Sequence, residues 1–269
     1  MYQQTNTAFT SRDGLNQRAC TSPICKNSGL TIIVVATLLA SFQALSQEAA
    51  PNPMALFRES VVLLQSSPAL SVHIEKQFDV LLANSAKVQY SGAMDLTMRR
   101  KDGLHVDYGD DLSAREAWYD GSKVVIFDHL ANVYVEEPAN GTVAEVLLNL
   151  ELQYGAKMPL APLLRGTVVD NLSAALESSR YLGIHDADGV PSHHILLRGA
   201  EVDLQLWIDA DDRPLLRKLI VTFNTIEGAP QQVLTFSDWD LEPRISRTSF
   251  RADLPDDAIK TDFIVNAER

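Results

Sequence analysis

The chain has 269 residues, 46% of which are hydrophobic, and a formal net charge of -12 at pH 7. That apolar content is enough for a buried core, and the length fits one large or two small domains. Residues 1–46 hold three basic residues and one acidic residue, which leaves 20 basic and 34 acidic residues for the rest. A surface this acidic repels phosphate backbones, so the sequence predicts no nucleic-acid partner.

Residues 1–46 have the composition of an export leader. A basic region ends at Lys26, an uncharged apolar run covers residues 30–45, and the small residues Ala44 and Ser46 follow the pattern that a signal peptidase reads. The run is shorter than the roughly 20 apolar residues of a membrane-spanning helix, although a retained anchor is the alternative. We expect a soluble periplasmic protein that meets the membrane surface only transiently.

Both cysteines lie in this leader, at positions 20 and 25. The mature chain is therefore expected to have no disulfide, no thiol chemistry and no cysteine-bound metal.

A helix is predicted at the start of the mature chain, with Asn52 as its cap and Pro53 in its first turn. Its apolar residues recur at helical spacing up to Leu64, and Pro68 ends it.

Residues 71–100 alternate apolar and polar side chains at period two and predict a long antiparallel hairpin with one apolar face. Each strand is about twice the usual five or six residues, which is typical of a curved or barrel-like sheet. Gly92 would allow a bend in the second strand. The apolar face must be covered by closure of the sheet, by a helix or by a ligand.

Shorter strands, a helical insertion and further strands follow. Thr142 and Glu145 form a capping box that opens a nearly uncharged, proline-broken helical segment, which suits a lid lying across an apolar surface.

The predicted strands total eleven. After the hairpin they cover residues 104–109, 114–119, 123–127, 133–137, 179–185, 190–198, 202–208, 219–223 and 233–241, and the lid helices cover 142–150, 160–164 and 171–176.

This pattern predicts a mainly β, α+β fold. Residues 47–245 contain no repeat or obvious linker and are expected to form one domain. Residues 246–269 are predicted to be a partly docked C-terminal extension.

Several short runs of sequence resemble the DUF2092 family of predicted periplasmic proteins, which is grouped with the LolA/LolB lipoprotein carriers. The resemblance implies an open antiparallel half-barrel with an N-terminal helix and a helical lid. It also implies a hollow that, in the carriers, holds lipoprotein acyl chains. The runs that carry it are residues 78–80, 88–92, 119–121, 131–134, 188–194, 206–208, 213–215 and 237–239.

The apolar face and the lid are the candidate binding surface. Burial of a roughly 16-carbon chain at about 0.8 kcal/mol per methylene gives on the order of 10 kcal/mol before ordering costs. Alternatively, the lid side chains fill the hollow as an ordinary core. Lys76 interrupts the apolar face, where it either meets an anionic headgroup or lies at a rim and reaches water. The predicted hollow residues are Ile74, Phe78, Val80, Tyr90, Met94, Leu96, Val143, Leu147, Leu150, Leu160 and Leu164.

The sequence predicts no metal, no cofactor and no enzymatic activity. His193 and His194 are neighbours in a strand, so they point to opposite faces and do not share an ion. Asp209, Asp211 and Asp212 lack the ligand spacing of a calcium hand and indicate a solvated turn. No serine elbow, phosphate loop or zinc helix is present.

The sequence favours two functions over a third, an enzyme acting on envelope lipid or glycan, for which no acid/base pair or nucleophile stands out. The first is a non-enzymatic protein that binds a lipid or a lipoprotein acyl chain. The second is an interaction or sensor module with a filled hollow and another envelope protein as its partner.

Overall fold

One open sheet of twelve strands dominates the computed structural model, which describes residues 50–83, 85–154, 161–164, 168–246 and 248–262. The helices of these residues are α1 (Pro53–Ser66), α2 (Val143–Tyr154), α3 (Ala161–Leu164) and α4 (Val168–Ala175). The strands are β1 (Ala69–Leu81), β2 (Lys87–Arg99), β3 (Gly103–Asp110), β4 (Ala114–Tyr119), β5 (Lys123–Asp128), β6 (Val133–Pro138), β7 (Leu176–Ala187), β8 (Val190–Gly199), β9 (Val202–Asp209), β10 (Leu216–Phe223), β11 (Gln231–Asp240) and β12 (Ile259–Lys260).

The strand order across the sheet is β12-β6-β5-β4-β3-β2-β1-β11-β10-β9-β8-β7. Every neighbouring pair is antiparallel except β6 and β12, which are parallel. Because β12 and β7 lie at opposite ends, the sheet does not close into a barrel. The predicted mainly β fold with an open antiparallel sheet is confirmed.

The long hairpin lies at the centre of this sheet. Strands β1 and β2 pair from Ala69 opposite Arg99 to Leu81 opposite Lys87 without a register shift. The alternation predicted from the sequence is confirmed, since Ile74 lies opposite Met94 on the face that forms the main core. We call this the inner face. On its other side β1 pairs with β11, so it joins the two halves of the sheet.

The helices cover part of the inner face. Helix α1 begins where the Asn52 side chain accepts hydrogen bonds from the backbone N–H groups of Met54 and Ala55, and its buried residues include Phe57 and Leu64. Its neighbours are α3, α4 and strands β7 to β9.

The capping box at the start of α2 is confirmed. The Glu145 carboxylate accepts hydrogen bonds from the backbone N–H and the hydroxyl of Thr142, at 2.7 and 2.8 Å. Helix α2 therefore begins where the sequence predicts, and its residues Val146 and Leu147 are buried in the main core.

The C-terminal segment packs on the opposite, outer face of the sheet. There, Trp118 and Phe127 form a small cluster with Ala252 and Leu254, while Phe250 is only 4% exposed. Strand β12 then pairs with β6. The predicted count of eleven strands was therefore one short, because a two-residue parallel strand is too brief to show a period-two pattern.

The predicted leader, residues 1–46, lies outside the described residues. Within the described ranges, no helix has the length and hydropathy required to cross a bilayer.

Replacement of Phe250 by Ala tests this packing. The Phe250 ring lies against Gly103, where a methyl group would come within 2.2 Å of it. Loss of a buried phenyl group should lower the free energy of unfolding by about 3 kcal/mol, measured by urea titration. Leu130→Ala, at a residue that is 73% exposed, is the control and should change it by less than about 0.5 kcal/mol. Equal stability of the two variants would contradict the docking of this segment.

Candidate functional site

The apolar inner face continues beyond the main core. On β1 and β2, Ile74 and Leu96 are each 1% exposed and belong to that core. Further along the same strands and on the same face, Phe78, Val80 and Tyr90 are only half-buried. We call this part of the inner face the open half and define it as residues Lys76, Phe78, Val80, Val88, Tyr90 and Tyr108.

The register places these side chains side by side. Phe78 lies opposite Tyr90, with ring centroids 5.9 Å apart, and Val80 lies opposite Val88. Phe78 and Tyr90 therefore form an aromatic pair on a surface that water reaches.

The predicted hollow residues fall into two groups. Those at the covered part of the sheet are at most 7% exposed and pack together as the protein's own core: Ile74, Met94, Leu96, Val143, Leu147 and Leu164. Leu150 is half-buried against that core, and Phe78, Val80 and Tyr90 lie in the open half. Leu160 lies outside the described residues. A binding role for any of them stays a prediction.

Lys76 extends across the open half. Its ammonium group lies 4.2 Å from the centroid of the Phe78 ring and 5.3 Å from that of the Tyr108 ring, and it donates a hydrogen bond of 3.1 Å to the Tyr108 hydroxyl. Burial lowers the pKa of Lys76, and the nearby charge of Asp110 partly opposes that shift. The ammonium is thus held against aromatic rings, which attract cations.

Asp110 is held by hydrogen-bond donors from its own strand and the turn that follows. One carboxylate oxygen accepts the Tyr108 hydroxyl, and the other accepts the backbone N–H groups of Leu112 and Ser113 and the Ser113 hydroxyl. Burial alone would raise the pKa of Asp110, but these hydrogen bonds outweigh it and lower the pKa. Burial and the contact with Asp110 raise the pKa of Tyr108. At neutral pH the carboxyl is ionised and the phenol is protonated.

Gly92 separates Lys76 from Asp110. It lies opposite Lys76 on one side and opposite Asp110 on the other, in the middle of three strands. A methyl group there would be 2.4 Å from the Asp110 Cβ and 2.5 Å from the carbonyl oxygen of Gly109. The sequence indicates that Gly92 would allow a bend in β2, and the structure adds a second reason for a glycine there, a close approach between β2 and β3.

The two adjacent histidines do not converge on one site. The Nδ1 atom of His193 lies 3.0 Å from the Tyr181 hydroxyl, while His194 stacks on Trp207 with centroids 3.8 Å apart and contacts His185. Burial lowers the pKa of His194. Among the described residues, no group of three or more His, Cys, Asp or Glu side chains is placed to bind a metal.

The acidic turn differs from the solvated turn that the sequence indicates. Asp211 and Asp212 are exposed, but Asp209 is 6% exposed and accepts two hydrogen bonds from the Arg217 guanidinium, at 3.0 and 2.6 Å. Asp209 therefore forms an ion pair that holds the β9–β10 connection.

Sequence reasoning missed Tyr108 and Asp110. Both follow Val106 at period two, so the alternation of β3 places them on the apolar face. Their meeting with Lys76 depends on the register of three strands, which a single sequence does not specify.

The fold and the site together define a mainly β protein in which the described helices cover part of an apolar sheet surface and the rest of that surface is half-buried. The chain belongs to the DUF2092 family of predicted periplasmic proteins, whose sequence profile matches residues 54–264. The protein is therefore periplasmic, as the sequence predicted. No curated protein matches the chain in sequence.

Several solved structures are similar to this one. LprF from Mycobacterium bovis is 13% identical, with a TM-score of 0.45 over 78% of this chain and 99% of its own. A LolA superfamily protein from Nitrosomonas europaea is 11% identical, with a TM-score of 0.32 over 76% of this chain and 99% of its own. In the MucA/MucB complex of Pseudomonas aeruginosa, the matched chain is 10% identical, with a TM-score of 0.42 over 76% of this chain and 62% of that one. Likenesses at this level carry no conclusion about ligands or partners.

Two glycine substitutions test the packing between Lys76 and Asp110. Gly92→Ala forces a methyl group against the backbone of β3 and should lower the free energy of unfolding by about 1–3 kcal/mol, measured by urea titration. Gly109→Ala is the matched control, because a methyl group there meets nothing within 4 Å. Equal effects of the two substitutions would contradict the close approach at Gly92.

Proposed function

We propose that this periplasmic protein binds the apolar chain of a lipid or of a lipoprotein along the open half of its inner face. The observation that carries the proposal is the change in burial along one surface. Ile74 is 1% exposed, whereas Phe78 and Val80, on the same face of the same strand, are half-buried. A hydrocarbon chain would remove this apolar surface from water.

The hydrophobic effect supplies the driving force for such binding. Each buried methylene contributes about 0.8 kcal/mol, so a roughly 16-carbon chain gains on the order of 10 kcal/mol before the ordering costs of binding are subtracted.

Binding rather than catalysis fits Tyr108 and Asp110, the two acidic groups beside Lys76. A general acid or base works best when its pKa lies near the working pH. The pKa of Tyr108 is raised and that of Asp110 is lowered, which moves both away from neutrality, whereas burial lowers the pKa of Lys76.

The proposal is tested by native mass spectrometry of the mature protein purified from the periplasm, with organic extraction of any bound lipid, and by titration with a fluorescent fatty acid. Phe78→Asp introduces a charge into the open half and should weaken binding of the probe at least tenfold. Gln77→Asp introduces the same charge at an exposed neighbour on the outer face and should leave binding unchanged. The absence of both co-purified lipid and probe binding would refute the proposal.

A second function is favoured by the packing of the helices. Val143, Leu147 and Leu164 are buried in the core, and among the strands of the described residues β7 pairs only with β8, at the end of the sheet. Residues 177–180 of β7 are exposed, so this edge offers backbone groups to an extended segment of another envelope protein.

Photocrosslinking distinguishes the two functions. A photoreactive residue in place of Ser179 would trap a protein in intact cells if the β7 edge is an interface, while the purified protein would carry no lipid.

A further inference from the structure

We propose that the ligand is a fatty acid whose carboxylate pairs with the ammonium group of Lys76 while its chain lies on Phe78, Val80 and Tyr90. The inference rests on the proposed binding of an apolar chain and adds the chemistry of its head group. A free fatty acid differs in this respect from a lipoprotein acyl chain, which has no free carboxylate.

Lys76 is a half-buried cation without an anionic partner among the described residues. Its contacts are the faces of the Phe78 and Tyr108 rings and the oxygen of the Tyr108 hydroxyl. Charges that are withdrawn from water are usually paired, because an uncompensated charge is costly. An anion bound from outside would supply the missing pair.

Asp110 does not fill that role. Its carboxylate accepts hydrogen bonds from Tyr108, Leu112 and Ser113, and the described residues show no direct ion pair between it and Lys76. Its charge acts on Lys76 from beyond Tyr108, which lies between the two groups. The Tyr108 hydroxyl donates its proton to Asp110 and accepts from Lys76, so this hydrogen-bonded chain is complete apart from the remaining N–H groups of the ammonium.

Lys76 retains donors for an anionic head group. An ammonium group has three N–H donors, of which Tyr108 takes one. The two that remain can donate to a carboxylate, whose single negative charge balances the single charge of the ammonium. A phosphate head group offers acceptor oxygens of the same kind, so the titrations compare the two.

The apolar side chains lie where the hydrocarbon of such a ligand would run. Phe78 and Val80 follow Lys76 on the same face, and Tyr90 lies opposite Phe78. From Lys76 to Val80 the strand advances roughly 13 Å, at about 3.3 Å per residue. The cation and the half-buried apolar surface therefore follow one another along a single line, as the head and chain of a fatty acid do.

The decisive comparison is between dodecanoate and dodecanol, which share a chain length and differ in charge. Calorimetric titration of the delipidated mature protein should show that dodecanoate binds at least about tenfold more tightly, since hydrogen bonds to charged groups are the stronger ones. Lys76→Met should abolish this difference while leaving the affinity for dodecanol within about twofold. Lys76→Arg should preserve it.

Gln77→Met is the matched control, because it introduces a methionine at the neighbouring position, which is exposed on the outer face. It should retain the preference for dodecanoate. Retained dodecanol binding by Lys76→Met also shows that this variant is folded, and circular dichroism checks it independently.

These titrations separate failure of the head-group inference from failure of the proposed function. If the wild-type protein binds dodecanoate and dodecanol equally, or if Lys76→Met keeps the preference, the inference is wrong while the proposed binding of an apolar chain stands. If dodecyl phosphate binds more tightly than dodecanoate, the carboxylate assignment is wrong. If neither dodecanoate nor dodecanol binds, the proposed function itself fails.

Discussion

The pairing of β1 with two strands is the constraint on which the rest of the structure depends. Along thirteen residues β1 pairs with β2, and from Ser71 to Phe78 it also pairs with β11. Strands β2 to β6 lie on one side of it, and β11 to β7 lie on the other. A slip of one residue in this register would move Ile74 and Phe78 to the outer face and destroy the core and the open half together.

The open half follows from the length of this strand. A strand of usual length would end near the helices, whereas β1 and β2 continue beyond Ile74 and Met94. Apolar and polar residues still alternate in this additional part of the two strands. Lys76 lies where the buried part changes to the exposed part. Its ammonium reaches across β2 to the Tyr108 hydroxyl on β3, and Gly92 on β2 lets the backbone of β3 approach closely beside them.

Local patterns were sufficient to predict most of the fold. The period-two alternation of β1 and β2, the capping box at Thr142 and the change from strand to helix after Pro138 each depend on neighbouring residues, and each is confirmed. Contacts between distant residues were not predictable in this way. Three such contacts are the hydrogen bond between Lys76 and Tyr108, the packing of Phe250 on Gly103 and the parallel pairing of β12 with β6. Each joins residues that are far apart in the sequence, so no local periodicity predicts it.

The two ends of the sheet differ, and this asymmetry limits how copies of the chain associate. At one end the two-residue strand β12 pairs only with Val133 and Tyr134 of the short strand β6. At the other end, within the described part of the chain, the twelve-residue strand β7 has a neighbour on one side only. The β7 edge is therefore the longer surface for association through strands. Two molecules joined edge to edge through β7 would each cover the other's β7 edge, so the symmetry of that contact gives a closed pair and not a growing fibre.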